Sequence, residues 1–323
     1  MRRPLYFVMA FLGTLAGNIV RIVTVLKAYY DAQSVFLLTL FTSGFMIGRA
    51  LSSFYAGRIF DGSPSSAKNI MFLSFIILSI ISLSYMFMPT LLYLLLRFLS
   101  GVLSGFSWPI VQSMLLTSSS YTEKSRNMSI YFMFGAAGMS TAFLIFVYLD
   151  FHTSLLLGSA LYIVTGLLGL TITLDHSRRD RNPKVGTQKP HRKTDIRLII
   201  LTLEFGFASA IIATDTIAGI LMERGLDEHQ LSIVLSVSSY LGIPMGMLGS
   251  YSMAFVADKY SEKLSLSFLS IIMLLSVFGL MISSSILGIT IALLALRVFV
   301  FCFRPILVAL AKVDGTTGAG VGI

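Results

Sequence analysis

Some of the polar side chains in this chain stand inside long apolar runs, where an uncompensated charge is costly. Arg97 lies in "LLYLLLRFLSGVLSGFSWP", Arg297 in "TIALLALRVFVFCFRP", and Glu204 and Asp215 in "LIILTLEFGFASAIIATDT". A guanidinium at such a place can hold an anion or partner a proton-carrying carboxylate. A carboxylate at such a place has its proton affinity raised, so it can exchange protons near neutrality.

Depth separates the arginines. Counted from Leu91 at ~1.5 Å per residue, Arg97 lies ~9 Å into its run and could snorkel outward. Gly101 and Gly105 continue its face one and two turns further on, and small residues favour close helix contact. Arg97 is therefore expected to look into the protein. Arg297 lies ~16 Å into its run, too deep to snorkel comfortably, and is the strongest candidate for lining a central cavity. Arg21 and Arg49 fit a snorkelling or an inward position equally, and for Arg304 snorkelling is favoured. Asn18 stands one turn from Arg21 and faces roughly the same way, so the two could form one polar patch. Glu204 and Asp215 are eleven residues apart, close to three turns, and share a face. Asp215, flanked by Thr214 and Thr216, is expected to couple protons or to counter Arg21 or Arg297. Glu204 is a further pathway candidate, with an interfacial pair to Arg197 as the alternative. Gln112 and Trp108 could line the second half of their run, although a Trp near an interface is more often an anchor.

The chemistry that is missing narrows the function. The chain has no H-E-x-x-H, G-x-S-x-G or paired acidic motif and no Walker A sequence, so neither a hydrolytic membrane enzyme nor an ATP-driven pump is indicated. The one cysteine, Cys302, excludes an intrachain disulfide and a thiolate metal cluster. With four histidines, two of them in a basic loop, no metal site and no cofactor are expected.

The elements that must carry these residues follow from composition. Hydrophobic residues make up 55% of the 323 residues, charged residues only 12%, and mean hydropathy is +0.85. That belongs to a helical polytopic membrane protein. Each span needs ~20 mostly apolar residues, and ten such runs occur, near 5–26, 35–57, 70–88, 91–117, 128–149, 154–174, 198–222, 230–257, 264–283 and 286–311. The first is longer than a typical ~7–15-residue signal-peptide core and is read as a span. Arg2, Arg3, Arg58, Lys68, Lys124, Arg126, Lys259, Lys263 and Lys312 fall on one side of the predicted spans. Segment 175–197 joins them with eight Lys/Arg. The net charge of +9 thus reports orientation, not nucleic acid, and predicts a cytoplasmic N-terminus in a multi-pass cell-membrane protein. Three domains are expected: a six-helix bundle over 1–174, a basic cytoplasmic linker over 175–197, and a second bundle over 198–323 with four complete helices and the start of a fifth. The linker reads as a solvated tether, with a regulatory or lipid-headgroup role as the alternative.

The two halves repeat. Asp61 and Asp258 close the second and eighth runs 197 residues apart, and Arg97 and Arg297 are 200 apart. Pro109-Ile-Val and Pro305-Ile-Leu are 196 apart, and Asp215 falls opposite Asn18 at the 197 offset. Matches in order, with the same sidedness, indicate an internal duplication with parallel halves.

The six-plus-six plan, the basic central loop and the G-x-x-x-D at Gly57 and Asp61 resemble the major facilitator superfamily of secondary transporters. Its loop pattern is approximately G-x-x-x-D-[RK]-x-G-[RK]-[RK]. Gly62 replaces its first basic residue; in the second copy Ala254 replaces the glycine, while Asp258, Lys259 and Lys263 fit. "RFLSGVLSGFSWP" is similar to the family's fourth helix. Gly135 and Gly138 look like packing positions, in a helix where the family's antiporter signature ends Gly-Pro and this chain has Gly-Met.

The resemblance implies an all-α two-bundle fold, six helices plus an incomplete second bundle, with Asp61 and Asp258 latching the halves at the cytoplasmic face. It implies that an eleventh helix should begin near residue 323, so the chain reads as truncated after its tenth helix. It also implies secondary active transport of a small organic solute by alternating access, by a monomer, with coupling to protons as a further expectation. A non-transporting sensor on the same scaffold and an inactive truncated transporter are the alternatives. Five arginines in or near spans against two acids suggest an anionic or zwitterionic solute.

Overall fold

In the computed structural model the described residues are 3–32, 35–119, 123–146, 148–172, 196–212, 217, 221, 224–226 and 228–313. Asp215, nearly all of the basic segment 175–197 and the residues after Val313 lie outside them. The described residues form ten α-helices and no strand: α1 (Arg3–Ala32), α2 (Val35–Gly62), α3 (Pro64–Ser84), α4 (Tyr93–Ser118), α5 (Lys124–Phe146), α6 (Phe151–Thr171), α7 (Ile196–Ile211), α8 (Glu228–Lys259), α9 (Glu262–Ile282) and α10 (Ile286–Val313). A bilayer offers the backbone no water, so every N–H and C=O must be met within the segment, and the helix does this locally. Among the described residues, six stretches are long and apolar enough to cross a membrane by length and composition, including Pro4–Ala28, Thr90–Ser118 and Ile286–Leu310. α7 covers Ile196–Ile211 within the described residues.

The helix starts repeat as the sequence does. Ser63 caps α3, its Oγ accepting from the Ser66 amide at 3.3 Å, with Pro64 at the first helical position. Ser261 caps α9, accepting from the Leu264 amide at 3.3 Å. In both places a serine satisfies an amide that has no partner within the helix.

The chain divides into two compact units, one of Met1–Ser120, Phe134–Lys193 and Ala311–Ile323, the other of Tyr121–Met133 and Thr194–Leu310. α5 contributes its first turns to the second unit and the rest to the first.

In the first unit glycines bring backbones together. A Cβ on Gly101 or Gly105 of α4 would run into the backbone of Phe45 or Arg49 on α2, and one on Gly48 would lie 2.5 Å from the Phe98 carbonyl oxygen. Gly138 of α5 sits against the Phe11 carbonyl of α1, a packing role as the sequence suggested. α3 and α6 are joined by polar contacts: Ser79 and Ser159 hydroxyls at 2.6 Å, Ser82 donating to the Leu155 carbonyl at 3.0 Å, and Lys68 Nζ donating to the Ile172 carbonyl at 2.6 Å. The last puts a cation on the negative end of the α6 dipole.

The second unit uses the same device with the partners exchanged. Phe45, Arg49 and Ser52 of α2 become Gly242, Gly246 and Gly249 of α8 at the 197 offset. Opposite them α10 carries bulk: Arg297 against Gly242, Phe301 against Gly246 and the Cys302 sulfur against Gly249. The close helix pair survives because each large side chain meets a glycine across the contact. An apolar cluster of Ile217, Leu221, Val234, Leu280, Ile289, Ala292 and Leu293 fills this unit near the start of α10.

Candidate functional site

Arg297 lies in the middle of α10, eleven residues past Ile286, and is 9% exposed. The carbons of its stem lie over Gly242 of α8, close enough that a Cβ there would be 3.3 Å from the Arg297 Cβ. Its Nε and Nη2 are buried without a hydrogen-bond partner among the described residues. A buried cation with two unused donors is costly, and a bound anion offsets that cost.

Arg97 of α4 is 7% exposed, so it looks into the protein as its glycine face implies. Its guanidinium carbon stands 4.8 Å from the centroid of the Phe45 ring, a cation–π contact. One end of the same unit gathers aromatic hydroxyls: the Tyr93 hydroxyl donates to the Tyr85 carbonyl at 2.8 Å, and the two rings pack edge to face. Gln112, 3% exposed, lies in a stretch of α4 from Pro109 to Leu116 that is buried residue after residue. Protein therefore surrounds that part of the helix.

Asn18 donates through Nδ2 to the Thr14 carbonyl of its own helix at 2.8 Å, and Arg21 beside it is half-buried. Glu204 is half-buried on α7 and accepts a hydrogen bond from Ser270 of α9 at 2.5 Å, while its Oε1 is buried without a partner among the described residues. This acid therefore ties two helices of the second unit together, a contact that the sequence did not suggest. Trp108 packs its ring edge-to-face on Phe75 and reaches Gly13 of α1. It is half-buried and packs inside the first unit.

The motif residues fall at helix ends. Gly57 is buried and Asp61 half-buried in the last turns of α2. Asp258, in the last turn of α8, meets the start of α5: Oδ1 accepts from the Ser125 amide at 3.2 Å and Oδ2 from the Arg126 amide at 3.1 Å, with Arg126 Nε 3.4 Å away. The Asp258 side chain is 5% exposed. Two amides with no partner in the helix, the positive end of its dipole and a guanidinium thus converge on one carboxylate. Glu262 adds a bond from the Ser125 hydroxyl, and Ser129 and Ser250 join their hydroxyls at 2.8 Å one turn further along. Burial pushes the neighbouring Lys124 ammonium below its ordinary range, and Glu262 opposes that shift. Lys259 is exposed, its Nζ 5.3 Å from the Tyr260 ring centroid. The Ser129–Ser250 pair has no distinctive motif, and sequence reasoning passed over it.

Substituting Asp258 by alanine should expose the Ser125 and Arg126 amides. Hydrogen exchange at these two positions is expected to quicken ~10- to 100-fold, the equivalent of ~1.5–3 kcal/mol for bonds to a charged acceptor. Unchanged protection at both amides would show that the carboxylate does not hold them.

A family model described as Major Facilitator Superfamily matches residues 5–322. No curated protein sequence matches the chain. Three of the solved structures most similar to it are transporters. The transporter FucP in its outward conformation superposes at TM-score 0.76 with 14% identity, covering 100% of this chain and 87% of that one. The human organic anion transporter MFSD10 (TETRAN) gives 0.69 and 12%, covering 100% and 89%. A bacterial homologue of the iron transporter ferroportin in its outward-facing state gives 0.69 and 14%, covering 100% and 88%. At these identities the likeness is one of fold.

Proposed function

Because the chain belongs to the Major Facilitator Superfamily, we propose that it is a secondary active transporter that moves a small anionic or zwitterionic organic solute by alternating access. The family and the fold shared with the structural neighbours support a multi-pass membrane transporter. They do not choose the cargo: one neighbour is named for organic anions, one for fucose with protons and one for iron. The choice of an anion rests on Arg297, a guanidinium buried in mid-helix with unmet donors, supported by the buried Arg97. Asn18, Arg21 and Gln112 complete the polar positions assigned to the solute pathway. Asp215 is assigned to proton coupling together with Glu204.

Gating is assigned to Gly57, Asp61, Asp258 and Lys259. The carboxylate of Asp258 holds the α5 start in one state and must release it in another, as alternating access requires. The basic loops support a cell-membrane location with the N-terminus in the cytoplasm, and the protein is taken to act as a monomer.

The test is flux. Purified protein in proteoliposomes should accumulate a radiolabelled organic anion when a proton gradient is imposed. An uncoupler should collapse that accumulation, and Asp215→Asn should flatten its pH profile. Tight anion binding with no flux under any gradient would instead support a sensor on this scaffold.

A further inference from the structure

We propose that the solute binds through a two-oxygen oxyanion head, a carboxylate in the simplest case, held side-on by the Nε and Nη2 donors of Arg297. Nε and Nη2 share one edge of the planar guanidinium, and their N–H bonds run nearly parallel. A carboxylate matches that edge with two parallel hydrogen bonds. A hydroxyl or a carbonyl offers a single oxygen, which cannot meet the two parallel donors both in line. Both atoms on this edge are buried and without a partner among the described residues.

The side chain that presents the edge is held by packing. Its stem runs over Gly242, where any larger residue would meet the Arg297 Cβ and Cδ. A held stem fixes the direction of the fork, and that is what lets a planar site discriminate planar ligands. Arg297 lies ~16 Å along α10 from Ile286. That is about half of a ~30 Å hydrocarbon core, so a lipid headgroup at the interface does not reach it. The inference rests on the transporter reading for treating the bound anion as cargo; capture of the anion needs only Arg297 and its surroundings.

The experiment measures binding apart from flux. Cys302, the one cysteine, is buried, so a thiol-reactive dye reports unfolding of the detergent-solubilised protein through a single site. The probes are paired: lactate with lactamide, succinate with succinamide, benzoate with benzamide, and inorganic phosphate alone. At least one carboxylate is expected to raise the melting temperature and to bind at least ~10-fold more tightly than its amide.

Arg297→Lys keeps the charge and loses the fork, and should lose that ~10-fold preference. Gly242→Ala, which displaces the stem, should weaken carboxylate binding with the charge intact. Arg58→Lys, at an exposed position near the end of α2, should leave the carboxylate-to-amide ratio unchanged. Carboxylates binding no better than their amides, or Arg297→Lys retaining the wild-type preference, would overturn the inference. Stabilisation by phosphate but by no carboxylate would also overturn the carboxylate assignment. Carboxylate binding without flux would leave the inference standing and overturn the transporter reading. Flux of neutral solutes with no carboxylate preference would do the reverse.

Discussion

Arg297→Leu should abolish anion uptake and at the same time raise the melting temperature of the protein. The two effects have opposite signs because the side chain is kept for its ligand, not for the fold. A cation at the centre of a membrane helix costs about 2.5–3.5 kcal/mol on insertion scales, and here Nε and Nη2 recover none of it from a described neighbour. Leucine removes that cost and keeps apolar contact with Gly242, over which the arginine stem now lies. The transported anion loses two charge-assisted hydrogen bonds, each contributing about 1.5–3 kcal/mol. Uptake at subsaturating solute should therefore fall by at least ~100-fold. Loss of both uptake and thermal stability would show that Arg297 is structural and would remove the main support for an anionic solute.

Gly101→Ala should disrupt the first unit more than any other single-methyl substitution. The added Cβ would run into the backbone of Phe45, which cannot swing away as a flexible side chain can. Overpacking usually costs about 1–3 kcal/mol and more where backbones must part, so a loss of ~3 kcal/mol or more is expected. It should show as a large fall in melting temperature and poor recovery from membranes. Gly206→Ala provides the control, because nothing lies within 4 Å of a Cβ at that position. It should stabilise α7 slightly, by up to ~1 kcal/mol of helix propensity. Equal behaviour of the two variants would mean that α2 and α4 are not in close backbone contact.

The helices were legible in the sequence because a bilayer permits few alternatives. A ~20-residue apolar run must close its own hydrogen bonds, so length and hydropathy fix the element with no knowledge of its neighbours. The glycine face of α4 was legible too, since residues four apart stack on one side of a helix. What that face touches was not legible: Gly101 and Gly105 meet backbone on α2, while at the equivalent contact of α8 and α10 the glycines have changed helix. Sequence offsets show that two halves correspond, but they do not show which partner of a contact carries the bulk. Trp108 shows the same limit, because its position fitted an interface anchor and only packing placed it on Phe75 and Gly13.

The candidate site divides in the same way. Residue spacing alone was enough to read a duplicated, multi-helix membrane protein with Arg97 and Arg297 embedded and Asp61 and Asp258 at helix ends. Each of those conclusions depends on spacing along one chain. Packing between helices brings Asp258 to the Ser125 and Arg126 amides, turns Glu204 to Ser270, and leaves the Nε and Nη2 edge of Arg297 without a described hydrogen-bond partner. Those facts depend on which helix lies across from which. A hydrogen bond is won or lost within about half an ångström, a precision that helical periodicity does not carry from one helix to the next.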